Sequence, residues 1–460
     1  MLLTDLAKAV GGYCQVFRDQ PGTFSSVSVD SRTLEPGGLF AALIGSERDG
    51  HRFAEEAFAK GASGILVARS RWEDPTFELE KTALRHRGVV IVTDNTLQAL
   101  QAGAAYYLST FPELLKIGIT GSSGKTTVKE IARGMLNQER KTFANPGNLN
   151  SETGLPLAAF MVRPFHEAGI FELGMNRPGE IEEITQVLKP HIALITNIGS
   201  AHIGFFGSKQ KIGEEKKRVF SQYTGSEIAL IPEDEPFGDF LAEGVRGKVV
   251  RYGFSMPELG PLSNLGAEGW KIVWEGLSAE FRLPGMHNLR NALGAAAIAK
   301  EAGASPEAIR EGLRAARSIF GRSEILGGRI TLIRDCYNAN PESTAAAIAM
   351  CDALDVRGRR VYVIGSMLEL GDASAEAHAA LGRRLESSKA DLICLFGEET
   401  LPAEAVLRSS SRIPYFHTNN KEVLSAYLTN WMQTGDTVLL KGSRGCALEG
   451  LTDVLLPGGC

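Results

Sequence analysis

The chain has 460 residues, of which 43% are hydrophobic and 22% are charged. That length exceeds what one hydrophobic core usually supports, so two or three domains are expected, and the composition excludes a collagen-like or largely disordered protein. The formal net charge of -5 provides no broad cationic field, so we expect no nucleic acid among the partners.

The cysteines and the apolar segments bear on the cellular compartment. Residues 1–10 place Asp5 and Lys8 among apolar residues, which favours an amphipathic helix over a signal peptide. No run of 18 apolar residues occurs, so we expect no transmembrane segment and a cytoplasmic location. The six cysteines show no C-x-x-C spacing, which indicates reduced thiols rather than a zinc site or disulfides. They are Cys14, Cys336, Cys351, Cys394, Cys446 and Cys460.

Short apolar runs alternate with helical patterns along the chain, which predicts α/β layering with mostly parallel strands. Two strands are predicted at 64–67 and 89–92, and the first segment ends near Pro112. The pattern restarts at Lys116 with a strand, a glycine loop and a helix. Further strands are predicted at 169–173, 193–197 and 227–231. This order is typical of an open nucleotide-binding sheet.

A second boundary is predicted after two helices, one at 287–302 and one that follows Pro306 and ends at Ser318. Beyond it, four more strands are predicted at 329–335, 360–365, 391–396 and 436–441. The expected fold class is therefore α/β with three domains, at 1–112, 113–318 and 319–460. The second has a central P-loop nucleotide-binding, mostly parallel sheet flanked by helices, and the third is a C-terminal Rossmann-like α/β domain.

The main chemical motif is GSSGKTT at 121–127, between an apolar strand at 114–119 and a helix. In this context glycines let the backbone approach phosphates, Lys125 reaches the terminal phosphates and the Thr126 hydroxyl can ligate Mg²⁺. A chance glycine-serine turn is the competing interpretation. Ile119 stands where the full P-loop pattern has glycine, so the loop is a shorter variant. The predicted ATP-binding residues are Gly121, Ser122, Ser123, Gly124, Lys125, Thr126 and Thr127.

Three residues outside this loop are candidates for the same chemistry. Glu172 ends a predicted strand where an open sheet presents its ligands, and it either holds Mg²⁺ or is a solvated strand end. His202 follows the next strand, where a metal or phosphate role competes with a structural one. Lys216 lies in GEEKKRVF at 213–220, which on pattern alone is a charged helix face.

These residues together resemble the Mur ligases, ATP-dependent amide-forming enzymes of peptidoglycan precursor synthesis whose phosphate loop takes the short form. The resemblance spans essentially the whole chain. DCYNANPES at 335–343 and LKGSRG at 440–445 are similar to the members that add D-alanyl-D-alanine. The resemblance implies a monomeric, Mg²⁺-dependent ligase that joins D-alanyl-D-alanine to the C-terminal carboxylate of UDP-N-acetylmuramoyl-tripeptide through an acyl phosphate.

The resemblance also implies roles for individual residues. The catalytic and magnesium-binding set would be Lys125, Thr126, Glu172, His202 and a carbamylated Lys216. Beyond the phosphate loop, the adenine, γ-phosphate and ribose would be contacted by Asn288, Asn291, Arg322 and Asp335, although helix capping also accounts for the two asparagines. The UDP substrate would contact Ser31, Arg32, Asn148, Asn150 and Ser151. The acceptor dipeptide would contact Asn338, Asn340, Lys441 and Arg444, although solvated surface charge also accounts for the last two.

Two positions depart from the family pattern. Ser366 stands where the family often has aspartate, and Ile203-Gly204 stands where Leu-Glu often follows the histidine. Two alternatives remain. One is a folylpolyglutamate-type or other Mur-type ligase, although YNANP at 337–341 argues against the folylpolyglutamate type, and the other is a P-loop switch ATPase. A ligase should release phosphate only when both the nucleotide-peptide and the amine acceptor are present, whereas a switch should hydrolyse ATP without either.

Overall fold

The computed structural model describes residues 1–410 and 412–456, so Cys460 lies outside the described residues, as does the end of the expected third domain. Within them the strands form four sheets, and the chain passes through these sheets in order. No helix in the described ranges is long and apolar enough to cross a membrane. The mixed, mostly parallel layering confirms the predicted α/β class.

The first sheet has five strands, and only its Tyr13–Val16 edge is antiparallel to its neighbour. The strands predicted at 64–67 and 89–92 are confirmed and entirely buried, as their continuous apolar runs require. The other three strands were missed because they are short or only partly buried. In spatial order the strands are Tyr13–Val16, Val89–Thr93, Gly64–Ala68, Leu39–Ala41 and Val27–Ser28.

The central sheet has six parallel strands, with the strand before the phosphate loop near its middle. The carboxyl ends of three adjacent strands, at Thr120, Glu172 and Ile195, therefore meet at one edge, where an open α/β sheet binds its ligands. All four strands predicted here are confirmed within one to two residues. The two edge strands, Lys248–Tyr252 and Thr142–Ala144, were not predicted. In spatial order the six strands are Lys248–Tyr252, Ile228–Pro232, Ile192–Ile195, Leu115–Thr120, Ala168–Glu172 and Thr142–Ala144.

A small antiparallel sheet follows the central one and was not predicted. Its second hairpin turns at Glu275 and Gly276, which have φ angles of 45° and 78°, and such paired positive angles suit a two-residue hairpin turn. The strands are Leu259–Asn264, Trp270–Trp274 and Leu277–Phe281. The two predicted helices come next, but the second ends at Ala315 instead of Ser318 because the backbone becomes extended at Ala316.

The last sheet has six strands, of which the four predicted ones form the parallel centre. The two edge strands were not predicted. One of them, Glu324–Gly327, is antiparallel and leads from the linker into the sheet. In spatial order the strands are Glu324–Gly327, Thr331–Asp335, Thr437–Lys441, Arg360–Gly365, Leu392–Phe396 and Tyr415–Thr418.

Helices connect and cover these sheets. The α-helices are Leu3–Ala9, Ala54–Ala59, Arg69–Trp72, Leu79–Arg85, Thr96–Ser109, Lys125–Leu136, Gly154–Ala159, Glu180–Leu188, Ile203–Phe206, Lys209–Lys217, Gly238–Ala242, Met286–Glu301, Pro306–Ala315, Pro341–Ala353, Ser374–Glu386, Leu401–Ser410, Lys421–Trp431 and Thr452–Leu455. Single 3₁₀ turns are Ser31–Thr33, Gly50–Phe53, Pro75–Phe77, Arg218–Phe220, Gly266–Glu268, Gly371–Ala373, Glu398–Thr400, Arg444–Cys446 and Leu448–Leu451.

Candidate active site

The phosphate loop has the predicted strand, loop and helix context, between Leu115–Thr120 and Lys125–Leu136. Its two glycines are required by the backbone. Gly121 and Gly124 have φ angles of +146° and +81°, and a Cβ atom at these positions would lie 1.7 Å from Thr196 Oγ1 and 2.3 Å from Asn291 Oδ1. The loop amides and the start of the helix are therefore held in the form that binds phosphate oxygens.

Asn197, at the end of the neighbouring strand, braces the loop. Its side-chain Oδ1 accepts a hydrogen bond of 3.1 Å from the Ser123 N–H, and its backbone oxygen accepts one of 3.0 Å from the Ser122 N–H. Gly199 adds two more bonds with Ser122, because its N–H donates to Ser122 Oγ and its carbonyl accepts from that hydroxyl. The loop is thus fixed by residues about 75 positions later, a contact that the motif itself did not reveal.

Glu172 is buried beside the loop and is 4% exposed. Its Oε2 accepts a hydrogen bond of 2.7 Å from Thr126 Oγ1, and its Oε1 accepts one of 2.9 Å from Asn150 Nδ2. Burial alone would raise the pKa of Glu172, but the charge of Lys125 and the Thr126 hydrogen bond more than offset it, so the pKa lies below its ordinary value. An ionised carboxylate therefore faces the phosphate loop.

Two lysines lie on the other side of the same loop. Lys125 Nζ and Lys216 Nζ donate to the Gly121 carbonyl oxygen at 2.8 and 3.0 Å. Lys216 is 1% exposed, and its Nζ also lies 3.7 Å from Met175 Sδ. Burial, followed by the charge of Lys125, holds the pKa of Lys216 well below its ordinary value. Burial also lowers the pKa of Lys125, although Glu172 opposes this shift. Lys216 is therefore disposed to be a neutral, nucleophilic amine.

His202 lines the same cavity but faces a residue that was not assigned a role from the sequence. Its Nδ1 lies 2.8 Å from Glu369 Oε2, although the alignment is too poor for a hydrogen bond. His202 has a φ of 64°, at the start of a short helix whose Gly204 N–H donates to the Glu369 carbonyl oxygen at 3.0 Å. Both departures from the family pattern thus lie in segments close to this contact, Ile203-Gly204 beside it and Ser366 three residues before Glu369.

The residues predicted to contact ATP come together around one cavity of about 470 Å³. Asn291 lies against Gly124, while Asn288 is 4% exposed and donates to the Pro284 carbonyl oxygen at 2.8 Å. This bond is not an N-cap bond, because the N-cap residue is Gly285 and a capping side chain would accept from a backbone N–H. Arg322 stacks over the Tyr337 ring with its guanidinium carbon 4.1 Å from the centroid. The predicted residues that line this cavity are Ser122, Ser123, Gly124, Lys125, Thr126, Thr127, Asn288, Asn291, Arg322 and Asp335.

Asp335 is already engaged on both oxygens. Its Oδ1 accepts from the Ser323 N–H at 3.0 Å, and its Oδ2 lies 3.1 Å from Lys441 Nζ. Lys441 is 2% exposed and also donates to the Asn338 carbonyl oxygen at 2.6 Å. Lys441 is therefore a buried partner of Asp335 and not a solvated surface charge.

Of the other residues predicted for the acceptor dipeptide, Asn338 and Asn340 line the main cavity with Lys441, whereas Arg444 does not. Asn340 caps helix Pro341–Ala353 by accepting from the Ser343 N–H at 2.8 Å. Asn338 Oδ1 accepts from the Ala339 N–H. Arg444 has an exposed side chain paired with Glu449 at 2.9 Å, and it lines a second cavity of about 570 Å³ that shares Thr126 and Arg322 with the first. Of the two charged residues in this set, Arg444 has the more accessible side chain and Lys441 is buried.

The residues predicted for the UDP substrate divide into two groups. Asn150 lines the main cavity, Asn148 is exposed in the same loop, and Ser151 Oγ accepts from the Gly154 N–H at 3.1 Å. Ser31 and Arg32 lie in the first sheet region instead and do not line the main cavity. Ser31 is 4% exposed and donates to Glu56, whereas Arg32 is exposed and pairs with Asp30.

The donor set fits magnesium only with help from other oxygens. Among the described residues, no group of three or more His, Cys, Asp or Glu side chains is placed to hold a metal ion. Thr126 and Glu172 do place a hydroxyl and a carboxylate oxygen 2.7 Å apart beside the loop. Because Mg²⁺ is usually held by one or two carboxylates together with phosphate and water oxygens, the residues fit a cation that arrives with a nucleotide.

Three family models match successive parts of the chain. The Mur ligase family catalytic domain matches residues 23–107, the Mur ligase middle domain matches 119–299, and the Mur ligase glutamate ligase domain matches 321–444. The matches follow the first, central and last sheets in order.

Relatives and solved structures cover nearly the whole chain. The UDP-N-acetylmuramoyl-tripeptide--D-alanyl-D-alanine ligase of Treponema pallidum is 42% identical over 434 residues, 94% of each chain. A crystal structure of MurF from Acinetobacter baumannii is similar with a TM-score of 0.87 at 28% identity, covering 99% of this chain and 98% of that one. The MurF ligase of Thermotoga maritima in complex with ADP has a TM-score of 0.80 at 25% identity, covering 95% and 98%. The identity and coverage leave no doubt about kinship, and the chain belongs to the Mur ligase family.

Proposed function

We propose that this protein is an ATP-dependent ligase that joins D-alanyl-D-alanine to the C-terminal carboxylate of UDP-N-acetylmuramoyl-tripeptide. The names of the relatives and the ADP-bound neighbour support this activity. The observation that carries it is the convergence of the phosphate loop and ionised Glu172 on one cavity, across which Arg322 and Asp335 lie, with Lys216 buried behind the loop at the Gly121 carbonyl oxygen. We also propose that the enzyme is cytoplasmic, where its substrate ATP is available, and that it acts as a monomer.

The reaction proceeds in two balanced steps. A carboxylate oxygen of the tripeptide attacks the γ-phosphorus of ATP, a P–O bond to ADP breaks, and an acyl phosphate forms. The amine nitrogen of the dipeptide then attacks the acyl carbon, the C–O bond to phosphate breaks, and the amine loses a proton as the amide forms. Phosphorylation is needed because a carboxylate would otherwise have to expel oxide. Lys125 and Arg322, which line the cavity, would stabilise negative charge on the transferring phosphoryl group.

Thr126, Glu172, His202 and Lys216 are the residues that would hold magnesium. When bound, the metal would neutralise phosphate charge. Lys216 joins this set through carbamylation, in which the neutral amine attacks carbon dioxide and loses a proton. The product carries carboxylate-like oxygens, which a hard cation requires, whereas an ammonium group would repel it. The buried position of Lys216 and its lowered pKa support this modification.

The three expected domains divide the substrates among them. Residues 1–112 would bind the uridine nucleotide through Ser31 and Arg32, and residues 113–318 would bind ATP and, through Asn148, Asn150 and Ser151, the muramoyl peptide. Residues 319–460 would close over ATP with Arg322 and Asp335 and bind the acceptor dipeptide. Arg444 is the acceptor-carboxylate candidate that we favour, because its side chain is 60% exposed whereas Lys441 is buried against Asp335. Asn338 and Asn340 would contribute from the wall of the main cavity.

Phosphate release tests the proposal. The protein should release phosphate from ATP only when UDP-N-acetylmuramoyl-tripeptide and D-alanyl-D-alanine are both present, and mass spectrometry should show the pentapeptide product. Hydrolysis without either substrate would instead identify a switch ATPase. Ligation of glutamate to a folate would identify the folylpolyglutamate-type alternative.

A further inference from the structure

Glu342 connects the last sheet with the central one. It is the second residue of helix Pro341–Ala353, and its carboxylate accepts hydrogen bonds from the Ser200 N–H at 3.0 Å and from the Ser200 hydroxyl at 2.8 Å. Lys209 Nζ lies 2.8 Å from the same carboxylate. One side chain therefore makes three polar contacts with a segment that lies about 140 residues earlier.

The segment that Glu342 contacts is bonded directly to the phosphate loop. Gly199 precedes Ser200, and its N–H donates to Ser122 Oγ at 2.8 Å while its carbonyl accepts from that hydroxyl at 3.2 Å. The path from Glu342 to the phosphate loop thus consists of one residue pair, Ser200 and Gly199. No long chain of contacts is needed.

Gly199 is also the point where a side chain would break this path. A Cβ atom there would lie 3.0 Å from Glu342 Oε2 and 3.3 Å from Ser122 Cβ, both closer than ordinary contact. The glycine lets the carboxylate approach the loop. The tight packing of Gly199 is evidence independent of the hydrogen bonds, and it also shows that Glu342 and the phosphate loop lie close together.

The Glu342 carboxylate is charged in this arrangement. Burial would raise the pKa of Glu342, but the bonds from Lys209 and Ser200 outweigh it and hold the pKa below its ordinary value. Hydrogen bonds to an ionised group are about twice as strong as those between neutral groups. The Lys209 and Glu342 side chains are 45% and 37% exposed, so their ion pair contributes little by itself and the two hydrogen bonds from Ser200 contribute most of the contact.

We propose that Glu342 is a positioning residue that couples closure of the C-terminal part of the enzyme to nucleotide binding at the phosphate loop, through Ser200 and Gly199. The relevance of that closure to ligation rests on the proposed function, whereas the coupling itself does not. Coupling is reciprocal: a change that loosens the Glu342 contact weakens nucleotide binding, and bound nucleotide tightens the contact.

Nucleotide affinity of Glu342→Gln tests the coupling. The substitution keeps the shape but removes the charge, and we expect ADP to bind about tenfold more weakly by calorimetry, the loss expected when hydrogen bonds to a charged group are weakened. In the ligation assay, KM for ATP should rise more than kcat falls. Small-angle scattering should show a smaller ADP-induced decrease in radius of gyration. Lys209→Met should weaken ADP binding less, because it removes only the ion pair.

Two matched variants separate this effect from a general loss of charge. Glu376→Gln removes an exposed acid that pairs with Arg383 within the C-terminal part, and Lys211→Met removes an exposed lysine from the helix that carries Lys209. Both should leave ADP affinity unchanged. The proposal is overturned if Glu342→Gln binds ADP like wild type, or if Glu376→Gln weakens it equally.

If Glu342→Gln fails to fold, the proposal can still be tested, because Gly199→Ala and Lys209→Met alter the same contacts from the side of the central sheet. Each folded variant should show the weaker ADP binding, and normal affinity in both would also overturn the proposal. ADP binding needs neither ligation substrate. A wild-type protein that shows the coupling but forms no amide would therefore reject the proposed function and leave the coupling intact.

Discussion

Gly124→Ala separates the geometry of the phosphate loop from ordinary backbone strain. Gly124 has a φ of +81°, and an added Cβ atom would lie 2.3 Å from Asn291 Oδ1. Alanine in this left-handed region costs about 1 to 2 kcal/mol. The contact adds a second effect, because Asn291 must leave its position beside the loop.

Backbone strain and displacement of Asn291 would be detected in different measurements. Strain lowers the free energy of unfolding, whereas displacement of Asn291 removes a hydrogen-bonding group from the cavity that we assign to the nucleotide. A lost hydrogen bond of about 1 to 1.5 kcal/mol corresponds to roughly a 5- to 13-fold loss of ADP affinity, and a shifted loop would add to this loss. The loss of stability should be no larger than strain alone accounts for.

Gly244→Ala is the matched control, because Gly244 has a φ of +70° and an added Cβ atom would meet nothing within 4 Å. Both variants should unfold at similarly lowered denaturant concentrations, but only Gly124→Ala should lose ADP affinity in calorimetry. Wild-type affinity in Gly124→Ala would refute the reasoning. Equal losses of affinity in the two variants would show that strain, and not the contact with Asn291, is responsible.

Three more outcomes follow from the charges in the cavity. Glu172→Gln should slow phosphate release at least about 100-fold at saturating substrates, because it removes the ionised carboxylate beside Thr126. The free energy of unfolding should change little. A loss of rate under tenfold would contradict the assignment of Glu172 to the catalytic set. Activity should fall in CO₂-depleted buffer and recover with bicarbonate, because the lowered pKa of Lys216 favours the neutral amine and only the neutral amine reacts with CO₂. Lys216→Arg should not recover. ADP binding should take up a proton at alkaline pH, because burial lowers the pKa of Lys125 and a bound anion raises it again. ADP affinity should therefore decrease as pH rises. Tris and HEPES release different heats when they give up a proton, so equal binding heats in the two buffers at alkaline pH would contradict this.

The parts of the site that the sequence predicted are those encoded locally. A strand, a glycine loop and a helix are continuous in the chain, so the phosphate loop could be recognised from residues 114–135 alone. Glu172 was predicted because the carboxyl ends of adjacent parallel strands meet at one edge, a rule that needs no knowledge of side-chain contacts. The same rule brought His202 to the cavity.

The parts that were missed depend on contacts between distant segments. Asn197 and Glu342 lie in motifs that were noticed, but their partners are about 75 and 140 residues away, and no periodicity reveals such pairs. Glu369 was noticed only for its neighbour Ser366. Lys441 shows the converse, because a lysine at a strand end has the pattern of a ligand for an anion, while the fold buries it against Asp335.

The charge balance around the loop distinguishes a ligase from a simpler nucleotide switch. Lys125, Lys129 and Arg322 all lower the pKa of Glu172, so several cations share one buried carboxylate. A bound triphosphate alone would balance this excess of positive charge in any P-loop protein. It would not explain why Lys216, a further lysine, is fully buried against the Gly121 carbonyl oxygen with its pKa held well below its ordinary value. The proposed carbamylation would account for it, because that reaction needs a neutral amine and converts it into an anionic oxygen ligand. Such a ligand would help to hold a cation beside the phosphate loop, and a cation there would attract both the phosphates and a carboxylate substrate that accepts the phosphoryl group.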